Sequence, residues 1–147
     1  MNYKKFLTSE EKDFKGRSLE EIWNFSDQEI ESIHDFIQII FPLNEPSQSV
    51  FHGHYLDSDE ILQKVKQNTQ AKENIIKSSK WFLSFLKRNS YWNRKHDHNH
   101  LRITRIIKSL RLLVSDNEAS RFYVSVIELI ENNNHINKET LEFWKNA

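Results

Sequence analysis

Apolar residues recur at intervals of three and four along most of the chain, the spacing that gathers them onto one side of a helix. Ile30, Ile33, Ile37, Ile40 and Phe41 form one such stripe. It predicts a helix that ends before Pro42, because a proline pushes the preceding residue out of the helical region. Ile75, Ile76, Phe82, Phe85 and Leu86 mark a longer helix over about 70–87. The most regular pattern lies between His100 and Val114, where Ile103, Ile106, Ile107, Leu110, Leu113 and Val114 fall within a sector of about 120°. Arg102, Arg105, Lys108 and Arg111 occupy the opposite half of that helix. Phe122, Val126, Ile127, Leu129 and Ile130 mark another helix, and a short terminal one over Thr140–Lys145 carries Phe143 and Trp144.

Capping residues mark several helix starts. In a capping box a Ser, Thr or Asp side chain accepts from an exposed backbone amide while a Glu three residues later reaches back. Thr8 with Glu11, Ser18 with Glu21, Ser26 with Glu29, Asp57 with Glu60 and Ser115 with Glu118 all fit. A short helix is expected from about Ser58. Pro42–Leu56 and Asn89–Asn99 read as loops and Asn132–Asn137 as a polar turn.

Two Gly and two Pro in 147 residues leave little turn chemistry for hairpins, so helices must dominate. The expected fold is all-α: a compact irregular bundle of about six to eight helices in a single domain over 1–147. Only 37% of residues are hydrophobic, but four Trp, ten Phe and four Tyr supply large buried areas. With no Cys, disulfides, thiolate metal ligands and cysteine nucleophiles are excluded. The opening MNYKKFLTSEEKDF has no apolar run suited to a signal peptide, and nowhere do eighteen apolar residues follow one another. A non-membrane, cytoplasmic protein without a transmembrane segment is the expectation.

Charge changes the picture further. Formal net charge is zero, yet Ser18–Gln63 holds ten acids and no Lys or Arg, while Lys87–Arg111 holds eight bases against Asp97 alone. Either the two parts neutralise each other across the fold, or the basic part meets an anionic partner.

Two segments carry a family likeness. Glu31-Ser-Ile-His34-Asp-Phe-Ile37-Gln38-Ile-Ile-Phe41-Pro42-Leu43-Asn-Glu45-Pro46-Ser47 resembles the first signature of the opioid growth factor receptor family's N-terminal domain, a helix running into Phe-Pro-Leu and a proline-containing loop. His98-Asn99-His100-Leu101-Arg102-Ile103-Thr104-Arg105-Ile106-Ile107-Lys108-Ser109-Leu110 is similar to the second, around Leu-Arg-Ile-Thr-Arg-Ile. The resemblance covers about 18–144, and departs from the family's more usual Tyr and Trp at Phe36 and Ile39. It implies a stand-alone, microbial-type relative of that domain. In animals the family is described as a receptor for an enkephalin-type peptide, associated with nucleus and membranes. It implies no catalytic residues.

Glu31, His34 and Gln38, at i, i+3 and i+7, would share one stripe of a continuous helix and form a half-buried polar site. A di-iron bundle would need a second Glu-x-x-His, and the chain has none. His96, His98 and His100 alternate, as do His52 and His54, but zinc needs converging ligands and no metal site is assigned. Asp97 or Asn99 is instead expected to cap the following helix. Arg102, at the edge of the apolar sector, needs a carboxylate or carbonyl partner, for which Glu31 is a candidate. Gly-rich phosphate loops, Gly-x-Ser-x-Gly and His-Glu-x-x-His are all absent.

The resulting expectation is a non-enzymatic binding domain without cofactors. Its partner is an unknown peptide, protein or small ligand meeting Glu31, His34, Gln38, His98, Asn99, Arg102 and Arg105. The alternative is nucleic-acid or polyanion binding along the basic helix, with Lys108 and Arg111 added. An unrecognised enzyme is the third.

Overall fold

Most helix starts in this chain are set by short polar side chains; the helix that starts after Phe36 has no side-chain cap. In the computed structural model, which describes residues 1–47 and 53–147, Ser18 Oγ accepts from the Glu21 amide at 3.1 Å and Glu21 Oε2 accepts back from the Ser18 amide at 3.2 Å. Ser26 and Glu29 repeat the arrangement at 3.1 and 2.9 Å. Each such cap stabilises its helix by about 1 kcal/mol. The helices so delimited are α1 (Tyr3–Leu7), α2 (Leu19–Trp23), α3 (Asp27–Ser32), α4 (Ile37–Ile40), α5 (Asp59–Lys66), α6 (Thr69–Arg88), α7 (His98–Leu113), α8 (Asp116–Ile130) and α9 (Lys138–Asn146). The described residues contain no strand, so the fold is all-α.

Several boundaries differ from the sequence reading. Thr8 starts no helix: it is the C-cap of α1, and its hydroxyl bonds Lys4 O at 2.9 Å and Glu10 Oε2 at 2.6 Å. Ser58 rather than Asp57 caps α5, accepting from the Ile61 amide at 3.2 Å. His98 and Asn99 are the first turn of α7 rather than loop, because Asp97 caps it. The terminal helix is longer than expected, with Asn137 accepting from the Glu139 amide at 2.7 Å.

The largest difference is the helix expected over Ile30–Phe41. It breaks after Ser32, where Ile33 turns extended (φ −87°, ψ 127°), and resumes as α4. At 100° per residue a continuous helix would have turned Phe36 and Ile39 away from Ile30 and Ile37. All four are buried, together with Ile40, Phe41 and Leu43, and only a change of chain direction lets both sides of this segment become core. This break supplies the ninth helix.

The chain divides into two compact units, Met1–Ser78 and Ser79–Ala147, with the division inside α6. In the first, α1 packs on α5, and Phe6, Leu7, Leu19, Ile22, Val65 and Ile75 are among the buried side chains. Asn74 of α6 donates to Leu7 O at 2.7 Å, satisfying a carbonyl that α1 leaves over at its end. In the second, α7 packs on α8 and on α9, with Ile103, Ile106, Ile107 and Leu110 buried beside Phe122, Val126 and Trp144. No helix among the described residues is long and apolar enough to cross a membrane.

Candidate functional site

The second unit holds an open pocket at the start of α7, built by the loop that leads into that helix. Asn89 Nδ2 donates to Phe85 O and Trp92 Nε1 to Leu86 O, both at 2.9 Å, folding the loop back on the end of α6. Asn93 ties it to the turn between α8 and α9, donating to Asn133 O at 2.7 Å and accepting from the His135 amide at 3.0 Å. Asp97, its side chain fully buried, uses Oδ1 to accept from the Asn99 amide at 2.9 Å. Its Oδ2 accepts from Arg94 Nε at 3.0 Å and Nη2 at 2.9 Å.

Behind the pocket stands His100. Its Nε2 lies 2.7 Å from Trp92 O. A carbonyl oxygen can only accept, so Nε2 carries the proton and donates. The ring meets Trp144 edge-on, with centroids 5.6 Å apart, and Trp144 Nε1 donates to His100 O at 3.0 Å. Burial lowers the His100 pKa below its ordinary 6.5, outweighing the opposing hydrogen bond to Trp92 and the charge of Asp97. The imidazole is therefore neutral near pH 7 and serves to join three segments.

The pocket itself measures about 520 Å³ and is lined by Arg94, His96, Asp97, His98, His100, Leu101, Thr104, Thr140 and Phe143. Leu101 and Phe143 are 68% and 66% exposed, more than any other large hydrophobic side chain among the described residues. Beyond Phe143 a second pocket of about 370 Å³ is lined by Lys138, Glu139, Glu142 and Asn146. Sequence patterns carried a signal for both apolar residues. Leu101 lies well off the Ile103–Ile106–Ile107 stripe, so an inward stripe leaves it outside. Phe143 and Trp144 are adjacent in a helix and so point about 100° apart; with Trp144 buried, Phe143 faces water.

Of the residues singled out from sequence, His96, His98 and His100 line this pocket. Asn99 is buried in the same turn, and Arg102 is buried with Nη1 3.4 Å from Asn99 Oδ1. The cationic half of α7 is thus narrower than expected. Arg105 is half-buried, Lys108 is exposed, and Arg111 donates to Asp116 Oδ1 and to Ala147 O, each at 2.9 Å.

Glu31, His34 and Gln38 belong to the first unit and do not share a helical stripe, because the break at Ile33 separates them. Glu31 is half-buried in α3, His34 is exposed within the break, and Gln38 is buried in α4. What organises this segment is Asp35, one of the ten acids in Ser18–Gln63. Arg17 Nη1 donates to Asp35 Oδ1 at 2.8 Å, and Lys15 Nζ pairs with its Oδ2. The same Arg17 donates through Nε to buried Asp13 at 2.8 Å. Asp13 Oδ1 also accepts from the Lys15 and Arg17 amides at 2.9 Å, closing a tight loop through Gly16 at φ +77°. The spacing Asp-x-x-Gly-Arg carried the turn signal for this loop.

His54 packs on the Phe14 ring at 4.7 Å between centroids; His52 lies outside the described residues. Among the described residues no three His, Asp or Glu side chains are grouped so as to hold a metal ion.

The architecture places the chain in the class of all-α proteins, without a strand among the described residues. Residues 1–89 match the opioid growth factor receptor (OGFr) conserved region, and the chain belongs to that family. The matched residues take in the whole first unit, the first signature segment and the full length of α6; the segment His98–Leu110 lies beyond them. No curated protein and no solved structure matches the chain.

Proposed function

We propose that this member of the family is a non-enzymatic binding domain whose partner docks in the pocket at the start of α7. One observation carries the reading: the two most exposed large apolar side chains among the described residues, Leu101 and Phe143, line a single pocket together with Arg94, His96 and His98. Water-exposed apolar surface rimmed by polar groups is the usual mark of an interaction site. The support beneath it is rigid, since His100 and Trp144 fix the helices that present Leu101 and Phe143. Polyanion binding along α7 has less support, because Arg102 is buried and Arg111 is shared with Asp116.

A random-peptide phage library panned on the intact chain tests this. The expected result is enrichment of peptides that lose at least about 10-fold in affinity for Leu101→Ser and Phe143→Ser variants, the scale of a central apolar anchor. Enriched peptides that bind those variants as well as they bind the unaltered chain would overturn the reading. So would failure to enrich any peptide at all.

A further inference from the structure

Phe143 stands as a ridge between two hollows. It is 66% exposed and lines both the pocket of about 520 Å³ at the start of α7 and the neighbouring one of about 370 Å³, which otherwise share no residue. Each hollow has room for an aromatic side chain, so the surface that carries the knob also carries a socket for one like it. Leu101, 68% exposed, supplies the apolar wall of the larger hollow.

Charge around the ridge is mixed and balanced. Lys138, Glu139, Glu142 and Lys145 of α9 are all exposed, two of each sign, and none takes part in an ion pair among the described residues. Across the larger pocket, Arg94 is already paired with buried Asp97. A strongly acidic or strongly basic partner therefore gains nothing here, because each attraction along α9 is matched by a repulsion. A partner carrying both signs at the same spacing does gain. Lys138 and Glu142 are one helical turn apart, so when two such helices run antiparallel about a two-fold axis, Lys138 of each copy faces Glu142 of the other. Long-range repulsion does not oppose that approach, since the formal net charge of the chain is zero.

From this self-complementarity, and resting on the pocket reading above, we propose that the occupant is a second copy of the chain. The two copies form a symmetric dimer in which the Phe143 ridge of each enters the hollow beside Leu101 of the other, and α9 meets α9 with Lys138 and Glu142 paired across the axis.

Sedimentation equilibrium of the full chain tests this. The expected result is a monomer–dimer equilibrium, the mass rising from 17.7 kDa toward twice that value, with a dissociation constant of about 10 μM, the scale of a small interface. Phe143→Ser and Leu101→Ser should each weaken it at least about 10-fold. Lys138→Glu and Glu142→Lys should each weaken it about 10-fold as well, since each places like charges across the axis. An equimolar mixture of those two variants should form a heterodimer at least as tight as the unaltered dimer, because acid then faces base at both contacts. All four positions are exposed, so the fold is retained.

A chain that stays at 17.7 kDa as its concentration rises overturns the proposal, and leaves the pocket reading standing as long as phage-selected peptides still depend on Leu101 and Phe143. A dimer unaffected by Phe143→Ser and Leu101→Ser is built elsewhere and overturns it too. So does a mixture of the Lys138→Glu and Glu142→Lys variants that associates no more tightly than either alone. Panning uses the chain well below the dissociation constant, where it is a monomer with its pocket open; loss of the Leu101 and Phe143 dependence there removes the pocket reading itself.

Discussion

Trp144 and His100 are joined twice: the indole Nε1 donates to the His100 carbonyl at 3.0 Å, and the imidazole meets the indole ring edge-on at 5.6 Å between centroids. Through this pair α9 is fixed to the first turn of α7, and the exposed neighbours Leu101 and Phe143 are held on a common pocket. Replacing Trp144 by Phe keeps most of the buried volume and removes one hydrogen bond, which should cost about 1 kcal/mol. Trp144→Ala should cost about 4 kcal/mol, the range for deleting a buried aromatic. Urea denaturation of both variants measures the two numbers, and equal losses would show that packing contributes nothing beyond the hydrogen bond.

Acid should destabilise the second unit first through His100. Its pKa is held below 6.5 by burial, so the unfolded chain takes up a proton before the folded one does. Stability from this residue is therefore complete above pH 6.5 and falls as pH drops from 6.5 toward the folded pKa. His100→Gln keeps a donor for Trp92 O but cannot titrate. The expected result is a flatter dependence of unfolding free energy on pH between about 7 and 5.5 than in the unaltered chain. An unchanged slope would refute the assignment to His100.

A separate acid step should follow at lower pH from Asp35. Burial alone would raise its pKa, but hydrogen bonds and charge from Lys15 and Arg17 outweigh burial and hold it below 3.8. Its contribution is present above pH 3.8 and is lost as pH falls through the folded value, well below the His100 window. Removing the cation has a larger effect. Arg17→Ala deprives both Asp35 and fully buried Asp13 of their guanidinium, and should cost about 3 kcal/mol, the scale of a broken buried pair. Pairing Arg17→Ala with Asp35→Asn in a double-mutant cycle separates the two carboxylates.

Gly16 should be replaceable only at the expense of backbone strain. A Cβ there would meet nothing within 4 Å, so crowding plays no part. At φ +77°, however, an L-residue is strained by about 1 kcal/mol. Gly16→Ala should lose that much in denaturant melts and Gly16→Asn less, because Asn tolerates the left-handed region better. Equal losses for the two would argue that the loop changes conformation on substitution.

The helical class, the capped starts at Ser18, Ser26 and Ser115, and the apolar stripe of α7 were all legible in the chain itself. These features depend on spacings of three and four residues, and neighbours at that distance meet wherever the backbone is helical. The likeness to the opioid growth factor receptor family was legible for the same reason, in contiguous residues that needed no folding to be compared. The break between α3 and α4 was not. It depends on Arg17, eighteen positions before Asp35, and on a core that accepts Phe36 and Ile39 as well as Ile30 and Ile37. Nor could the chain alone bring Leu101 to Phe143, forty-two positions apart, onto one pocket. That pairing is made by Trp144 reaching the His100 carbonyl, a contact whose partners become neighbours only when α9 lies against α7.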